Sequence, residues 1–159
     1  MTHERRPGRK RIRLDRNVYG QPGSVWHATL STANRQRAFS DPVAATKAID
    51  VLIDRSEKAG ARLLLYCVMP EHVHALIQIE REDLIAIVRA VKSILGIWWK
   101  AQSPANGDLW QRSFYDRGIR TEQDLDEVIG YIFSNPVDEG LVADWSEYPL
   151  IGETLIDTM

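Results

Sequence analysis

The stretch Leu63-Leu64-Leu65-Tyr66-Cys67-Val68-Met69-Pro70-Glu71-His72-Val73-His74-Ala75-Leu76-Ile77-Gln78-Ile79-Glu80 decides the fold. Its apolar residues recur with a period of two on either side of Pro70-Glu71, which predicts two strands joined by a turn. In the second strand Val73, Ala75, Ile77 and Ile79 share one face, and His72, His74, Leu76 and Gln78 share the other. Two imidazoles separated by one residue stand about 7 Å apart at their Cα atoms and can converge on one cation. An isolated pair of this kind is more often packed into the sheet or left facing solvent, so a third ligand has to decide between the two uses.

Working outward, Trp26 to Leu30 predicts a first strand, followed by a polar loop from Ser31 to Arg37. Asp41-Pro42 supplies an N-cap and a proline at the first helical position, and Val43, Ala44, Ala48, Val51 and Leu52 carry helical spacing as far as Gly60. Beyond the hairpin, Leu84, Ile87, Val88, Val91, Leu95 and Trp98 form one stripe of a helix from about Asp83 to Lys100. A strand is expected over Leu109 to Arg117, then a third helix opening at Thr121, with Asp124 three residues on as a capping-box variant. The order strand, helix, strand, strand, helix, strand, helix suits an α+β fold: a ferredoxin-like antiparallel sheet with helices packed on one face.

The third helix carries the most informative polar pattern. Leu125, Ile129, Ile132 and Phe133 form its apolar side, while Asp124, Glu127, Tyr131 and Asn135 cluster opposite. A tyrosine centred on a polar stripe is placed to act outside the helix, although lying flat over the surface is the commoner use of such a residue. Asn135 precedes Pro136, which biases it away from helical geometry and predicts the helix end there. Arg112, Arg117 and Arg120 flank the aromatic segment Trp110 to Tyr115, a combination suited to phosphates and unstacked bases. Trp98 and Trp99 are expected to pack helix against sheet, and Cys67 to sit in the core.

Composition sets the outer limits. The chain has 159 residues, 44% hydrophobic and 26% charged, with 10 Gly, 7 Pro, 5 Trp, 5 Tyr and 3 Phe, which fits one folded domain and excludes disorder or a fibre. The net charge of −2 is unevenly spread: residues 1–20 hold seven basic and two acidic side chains, +5, leaving 13 basic against 20 acidic, −7, for the rest. A basic arm over residues 1–23 and a domain over 24–159 are therefore expected, with Arg9, Lys10, Arg11 and Arg13 of the arm as candidate polyanion contacts. A single cysteine, a charged N-terminus and no run of roughly 20 apolar residues predict a cytoplasmic protein without a membrane role.

The segment Tyr66 to Ile77, with its His-hydrophobic-His core, resembles the motif of HUH single-strand DNA transposases. Tyr131-Ile132-Phe133-Ser134-Asn135-Pro136-Val137-Asp138-Glu139-Gly140-Leu141-Val142 resembles the tyrosine helix of REP-associated tyrosine transposases. Together with Trp110 to Arg120 and Trp26 to Arg35, the resemblance spans most of residues 24–145. It implies an HUH fold, with His72, His74 and Asn135 as ligands of a divalent metal, Mg2+ or Mn2+, and Tyr131 as nucleophile. Glu127 is a candidate assistant to the tyrosine. The implied activity is cleavage and transfer of single-stranded DNA at palindromic, REP-like hairpins through a 5′-phosphotyrosine intermediate, by a monomer or a homodimer. Two other readings stay open: a retired hairpin-DNA-binding regulator, and a metal-dependent nuclease that uses water.

Overall fold

The structure, a computed structural model, describes residues 14–153. Five strands, β1 (Val25–Ser31), β2 (Arg62–Val68), β3 (His72–Gln78), β4 (Tyr115–Ile119) and β5 (Ile151–Glu153), form one sheet in the order β4-β1-β3-β2-β5. Every neighbouring pair is antiparallel. Helices α2 (Pro42–Lys58) and α3 (Leu84–Gln102) complete a β-α-β-β-α-β unit with the first four strands, and α4 (Glu122–Asp138) follows β4. The α+β class and antiparallel sheet are as expected; β5, on the outer edge of β2, carries too short a pattern to be anticipated.

Local chemistry sets the helix starts. Asp41 accepts a hydrogen bond from the Val43 N–H at 3.0 Å, and Asp83 one from the Ala86 N–H at 2.7 Å. At α4, the Thr121 hydroxyl oxygen accepts from the Asp124 N–H at 3.0 Å, while the Asp124 carboxylate reaches back to the Arg120 N–H at 3.1 Å.

The two faces of β3 feed two separate cores. Val73, Ala75 and Ile77 join Ala44, Ala48 and Leu52 of α2 and Leu84, Ile87, Val91 and Leu95 of α3. Leu76, with Leu65 and Cys67 of β2, meets Val128 and Ile132 of α4 on the opposite side. The expected one-sided packing thus holds for α2 and α3, whereas α4 covers the other face. The physical reason is Leu76, an apolar side chain on the histidine face that needs a cover, which the stripe of α4 supplies.

Two further expectations are corrected. The strand predicted from Leu109 begins only at Tyr115: Trp110 makes a single bridge to Thr32 just past the end of β1, its indole N–H donates to the Lys92 carbonyl at 3.1 Å and its ring packs on Phe39 at 5.7 Å. Helix α4 does not stop at Asn135 but runs through Pro136 to Asp138. Proline removes only one N–H, and the helix end is closed beyond it, with Glu139 N–H donating to the Asn135 carbonyl at 3.0 Å and Leu141 N–H to the Pro136 carbonyl at 2.9 Å. Gly140, at φ 74°, ends the helix in the left-handed conformation that glycine adopts without strain.

The first described residues fall inside the stretch read as the arm, and they pack. A short helix α1 (Arg16–Tyr19) buries Tyr19 against Trp26 with ring centroids 4.8 Å apart, and the Tyr19 hydroxyl donates to Asp116 at 3.0 Å. The candidate contacts Arg9, Lys10, Arg11 and Arg13 lie outside the described residues. Cys67 is buried in the core, where desolvation pushes its thiol up to about 12. Trp98 and Trp99 pack against the α2/α3 core. No helix among the described residues is long and apolar enough to cross a membrane.

Candidate active site

The polar face of β3 meets the C-terminal half of α4 at three atoms. His72 Nε2 lies 3.0 Å from His74 Nε2 and 3.0 Å from Asn135 Oδ1, and His74 Nε2 lies 3.2 Å from the same amide oxygen. All three side chains are buried, His74 the most deeply at 1% exposure. Asn135 lies seven residues from Val128, hence almost on the same meridian of the helix, so the burial of Val128 carries the amide onto the sheet. A helical wheel drawn from the sequence sets Asn135 opposite the apolar side only while Val128 is left out of that side.

The proton inventory of this triangle is informative. The outer nitrogen of His72, Nδ1, has the Glu71 carboxylate 3.3 Å away, near enough for charge attraction though not aligned as a hydrogen bond. The outer nitrogen of His74, Nδ1, lies 3.0 Å from His27 Nε2 and 3.2 Å from Thr29 Oγ1. If each imidazole carries its proton on that outer nitrogen, three lone pairs converge with no hydrogen between them, an arrangement that calls for a cation. The spacing fits: octahedral donors about 2.1 Å from a small divalent ion and at right angles to one another stand about 3.0 Å apart. Among the described residues no group of three His, Cys, Asp or Glu side chains is arranged to hold a metal, and the third donor here is an amide. Burial, with the neighbouring His72 and His27 adding to it, holds His74 well below the ordinary imidazole range, so it is neutral and free to ligate.

Tyr131 stands one turn before Asn135 and is 51% exposed. Its ring meets His74 edge-on at 5.5 Å and His27 at 6.2 Å. Partial burial raises its phenol above the ordinary value, helped by Glu139, Tyr115 and Asp138 and opposed by Arg35. A cavity of about 810 Å³ opens over the triangle, lined by Arg35, Arg37 and Tyr131 with His72, His74 and Asn135. A smaller one of about 350 Å³ adjoins it beneath Tyr131, lined by His27, Tyr115 and Arg117.

The remaining candidates are dispersed. The Glu127 carboxylate is held by Arg117 at 3.2 Å, and the same guanidinium reaches Asp124 at 3.3 Å. Arg112 is exposed on the loop before β4, and Arg120 lies on a groove beside α1, lined also by Leu14 and Trp26. The arginines that line the large cavity are instead Arg35 and Arg37, delivered by the loop after β1. Asn34 and Arg35 both adopt left-handed backbone, at φ 56° and 55°, strain of the kind that gathers at functional sites. Sequence reasoning passes over these two arginines, as it does His27 and Thr29. The signal for the latter pair lies in Trp26-His27-Ala28-Thr29-Leu30, whose alternation buries Trp26, Ala28 and Leu30 on one face and turns His27 and Thr29 to the other, with Thr29 opposite His74 in the register.

Residues 22–135 match the family described as "Transposase IS200 like". The chain belongs to that family. Within it, the chain is 32% identical over 93 residues to a Haemophilus influenzae protein assigned as a REP-associated tyrosine transposase, a match covering 50% of this chain and 53% of that one. It is 27% identical over 134 residues to the REP-associated tyrosine transposase of Escherichia coli, covering 80% and 74%. The chain thus spans about half the length of the first of these relatives. Among solved structures, this IS200-like chain superposes on a REP-associated tyrosine transposase bound to a REP hairpin with a TM-score of 0.71 at 22% identity, covering 95% of this chain and 82% of that one. A Deinococcus radiodurans protein assigned as a transposase gives 0.53 at 23% identity, covering 80% and 95%. The fold expected from the His-hydrophobic-His strand and the tyrosine helix is the fold of this family.

Proposed function

We propose that the protein cleaves and rejoins single-stranded DNA beside a hairpin, with Tyr131 as nucleophile and His72, His74 and Asn135 as the ligands of a divalent cation. The observation that carries this reading is the meeting, within one chain, of three lone-pair donors 3.0 to 3.2 Å apart and a tyrosine ring 5.5 Å from one of them. The hairpin as substrate is supported by the relatives named for REP association and by the hairpin-bound structural neighbour. A bound divalent cation supplies Lewis-acid neutralisation of a phosphate oxygen, and a site with two imidazole nitrogens suits Mn2+ better than Mg2+.

The chain's own residues perform the rest. The Tyr131 Oη attacks phosphorus, the bond from phosphorus to the 3′ oxygen breaks, the phenol proton leaves, and the departing 3′ oxygen takes up a proton. The product is a 5′-phosphotyrosine and a free 3′-hydroxyl, and because the bond energy is retained in the phosphotyrosine, the same or another 3′-hydroxyl can reverse the step. Arg35 and Arg37 are placed to hold backbone phosphates over the triangle. Glu127 enters this reading as the anchor of Arg117, whose guanidinium lines the smaller cavity beside Tyr131.

Incubation with a labelled single-stranded hairpin oligonucleotide and Mn2+ is expected to give a covalent protein–DNA adduct that survives denaturing electrophoresis and is absent from Tyr131→Phe. Cleavage that persists in Tyr131→Phe with protein-free 5′-phosphate ends would show that water is the nucleophile. Hairpin binding with no adduct under any metal would leave a binding protein.

A further inference from the structure

We infer that His27 and Thr29 are positioning residues that fix the tautomer of His74, so that its Nε2 lone pair faces the donor triangle. The inference deepens the proposed metal site and rests on that reading. His74 has two ring nitrogens and can turn only one lone pair toward the triangle; whichever nitrogen carries the proton must donate it elsewhere. Its Nδ1 has two neighbours within hydrogen-bond reach, His27 Nε2 at 3.0 Å and Thr29 Oγ1 at 3.2 Å, and these two lie 3.3 Å from each other.

One assignment satisfies all three groups and leaves Nε2 bare. His74 Nδ1–H donates to Thr29 Oγ1, the Thr29 hydroxyl donates its own proton to His27 Nε2, and His27 carries its proton on Nδ1. The partners of a ligating imidazole's second nitrogen are usually a carboxylate, a carbonyl or water. Here a neutral imidazole and a hydroxyl serve, both on β1, the strand hydrogen-bonded to β3, with Thr29 directly opposite His74. Both partners are held by the sheet: His27 is 4% exposed, and its ring packs against the His74 ring at 5.1 Å. Two alternate residues of one strand thus buttress the imidazole that the third ligand, on α4, approaches from the opposite side.

The test uses the full chain without DNA. Nitrogen-15 shifts of the histidine rings report which nitrogen of His74 is protonated in the metal-free protein, and titration with Mn2+ alone, followed by electron paramagnetic resonance, gives its affinity. His74 is expected as the Nδ1–H form. The double variant His27→Leu, Thr29→Val is expected to mix the two tautomers and to weaken Mn2+ binding about ten- to hundredfold. His27→Gln, whose amide oxygen can accept at the position of Nε2, should stay close to the parent. If the double variant fails to fold, the tautomer of His74 in the parent chain decides the matter through the nitrogen-15 readout, since Thr29→Val alone leaves His27 Nε2 at 3.0 Å to accept from His74 Nδ1. An Nε2–H tautomer in the parent, or a double variant that keeps the Nδ1–H form and binds Mn2+ within twofold, overturns the inference. Failure of the metal site itself reads differently: His72→Ala would leave Mn2+ affinity unchanged, while the tautomer of His74 would still be measured.

Discussion

At the scale of the residue, the site is a problem in where protons are allowed to be. His27 is pressed down to about 4, first by burial, then by the neighbouring Arg117 and His72. The folded chain therefore refuses a proton that the unfolded chain accepts near 6.5, and stability depends on pH in a definite direction. Above pH 6.5 neither state binds the proton and the full stability is present. As pH falls from 6.5 toward 4 the unfolded state gains protons first, so the metal-free protein should lose up to about 3 kcal/mol through His27 alone. Urea unfolding midpoints measured between about pH 7.5 and 4.5 check this, and His27→Gln should flatten the fall. The same chemistry gives a metal prediction: truncating His72 or His74 to Ala should abolish measurable Mn2+ binding in the micromolar range, read by calorimetry. The pair His72 and His74 is legible in the sequence because alternation in a strand is a strict period of two. His27 and Thr29 are not, because their partner lies on another strand, and the register that brings Thr29 opposite His74 is not a local property.

At the scale of the element, α4 is the piece whose placement matters most. Its start is secured by the Thr121 cap, so Thr121→Ala should destabilise the protein by about 1 kcal/mol, a fall of roughly 2–4 °C in melting temperature, while Thr121→Asp should keep the parent value. Differential scanning calorimetry distinguishes the two. At the far edge of the sheet, β5 crosses Tyr66 so closely that a methyl group at Gly152 would run into the phenol ring. Gly152→Ala is therefore expected to cost about 1–3 kcal/mol unless the Tyr66 side chain moves out, with a matching drop in the chemical-denaturation midpoint. Helices α2, α3 and α4 are readable from their caps and apolar stripes. The late start of β4 is not, since the aromatic run Trp110 to Tyr115 looks alike whether its rings line a sheet or pack onto a helix. Continuation of α4 through Pro136 is hidden for a similar reason: proline biases its neighbour, but buried contacts of Ile132 and Asn135 outweigh that bias.

At the scale of the whole molecule, charge is unevenly divided along the chain. Residues 1–20 carry +5 and the remainder −7, so the affinity for DNA is expected to depend on the arm out of proportion to its length. Deleting residues 1–13, which leaves α1 and its Tyr19 anchor in place, should weaken hairpin binding and make it less sensitive to salt. The slope of log affinity against log salt is expected to become shallower by about 0.7 to 0.9 for each phosphate that the arm no longer neutralises. Fluorescence anisotropy with a labelled hairpin over a range of salt concentrations measures it. An unchanged slope would assign the grip to the residues that remain, among which Arg35 and Arg37 line the large cavity.

The double service of α4 has one more outcome. Tyr131 and Asn135 ride the same rigid rod, a single turn apart, so the proposed nucleophile and the proposed third ligand cannot be parted. On the proposed mechanism, lifting that rod off Leu76 would carry both away together and leave a half-assembled chain harmless to any strand it met. On that proposal, competence to cut is tied to correct seating of one helix, a safety catch that needs no additional component.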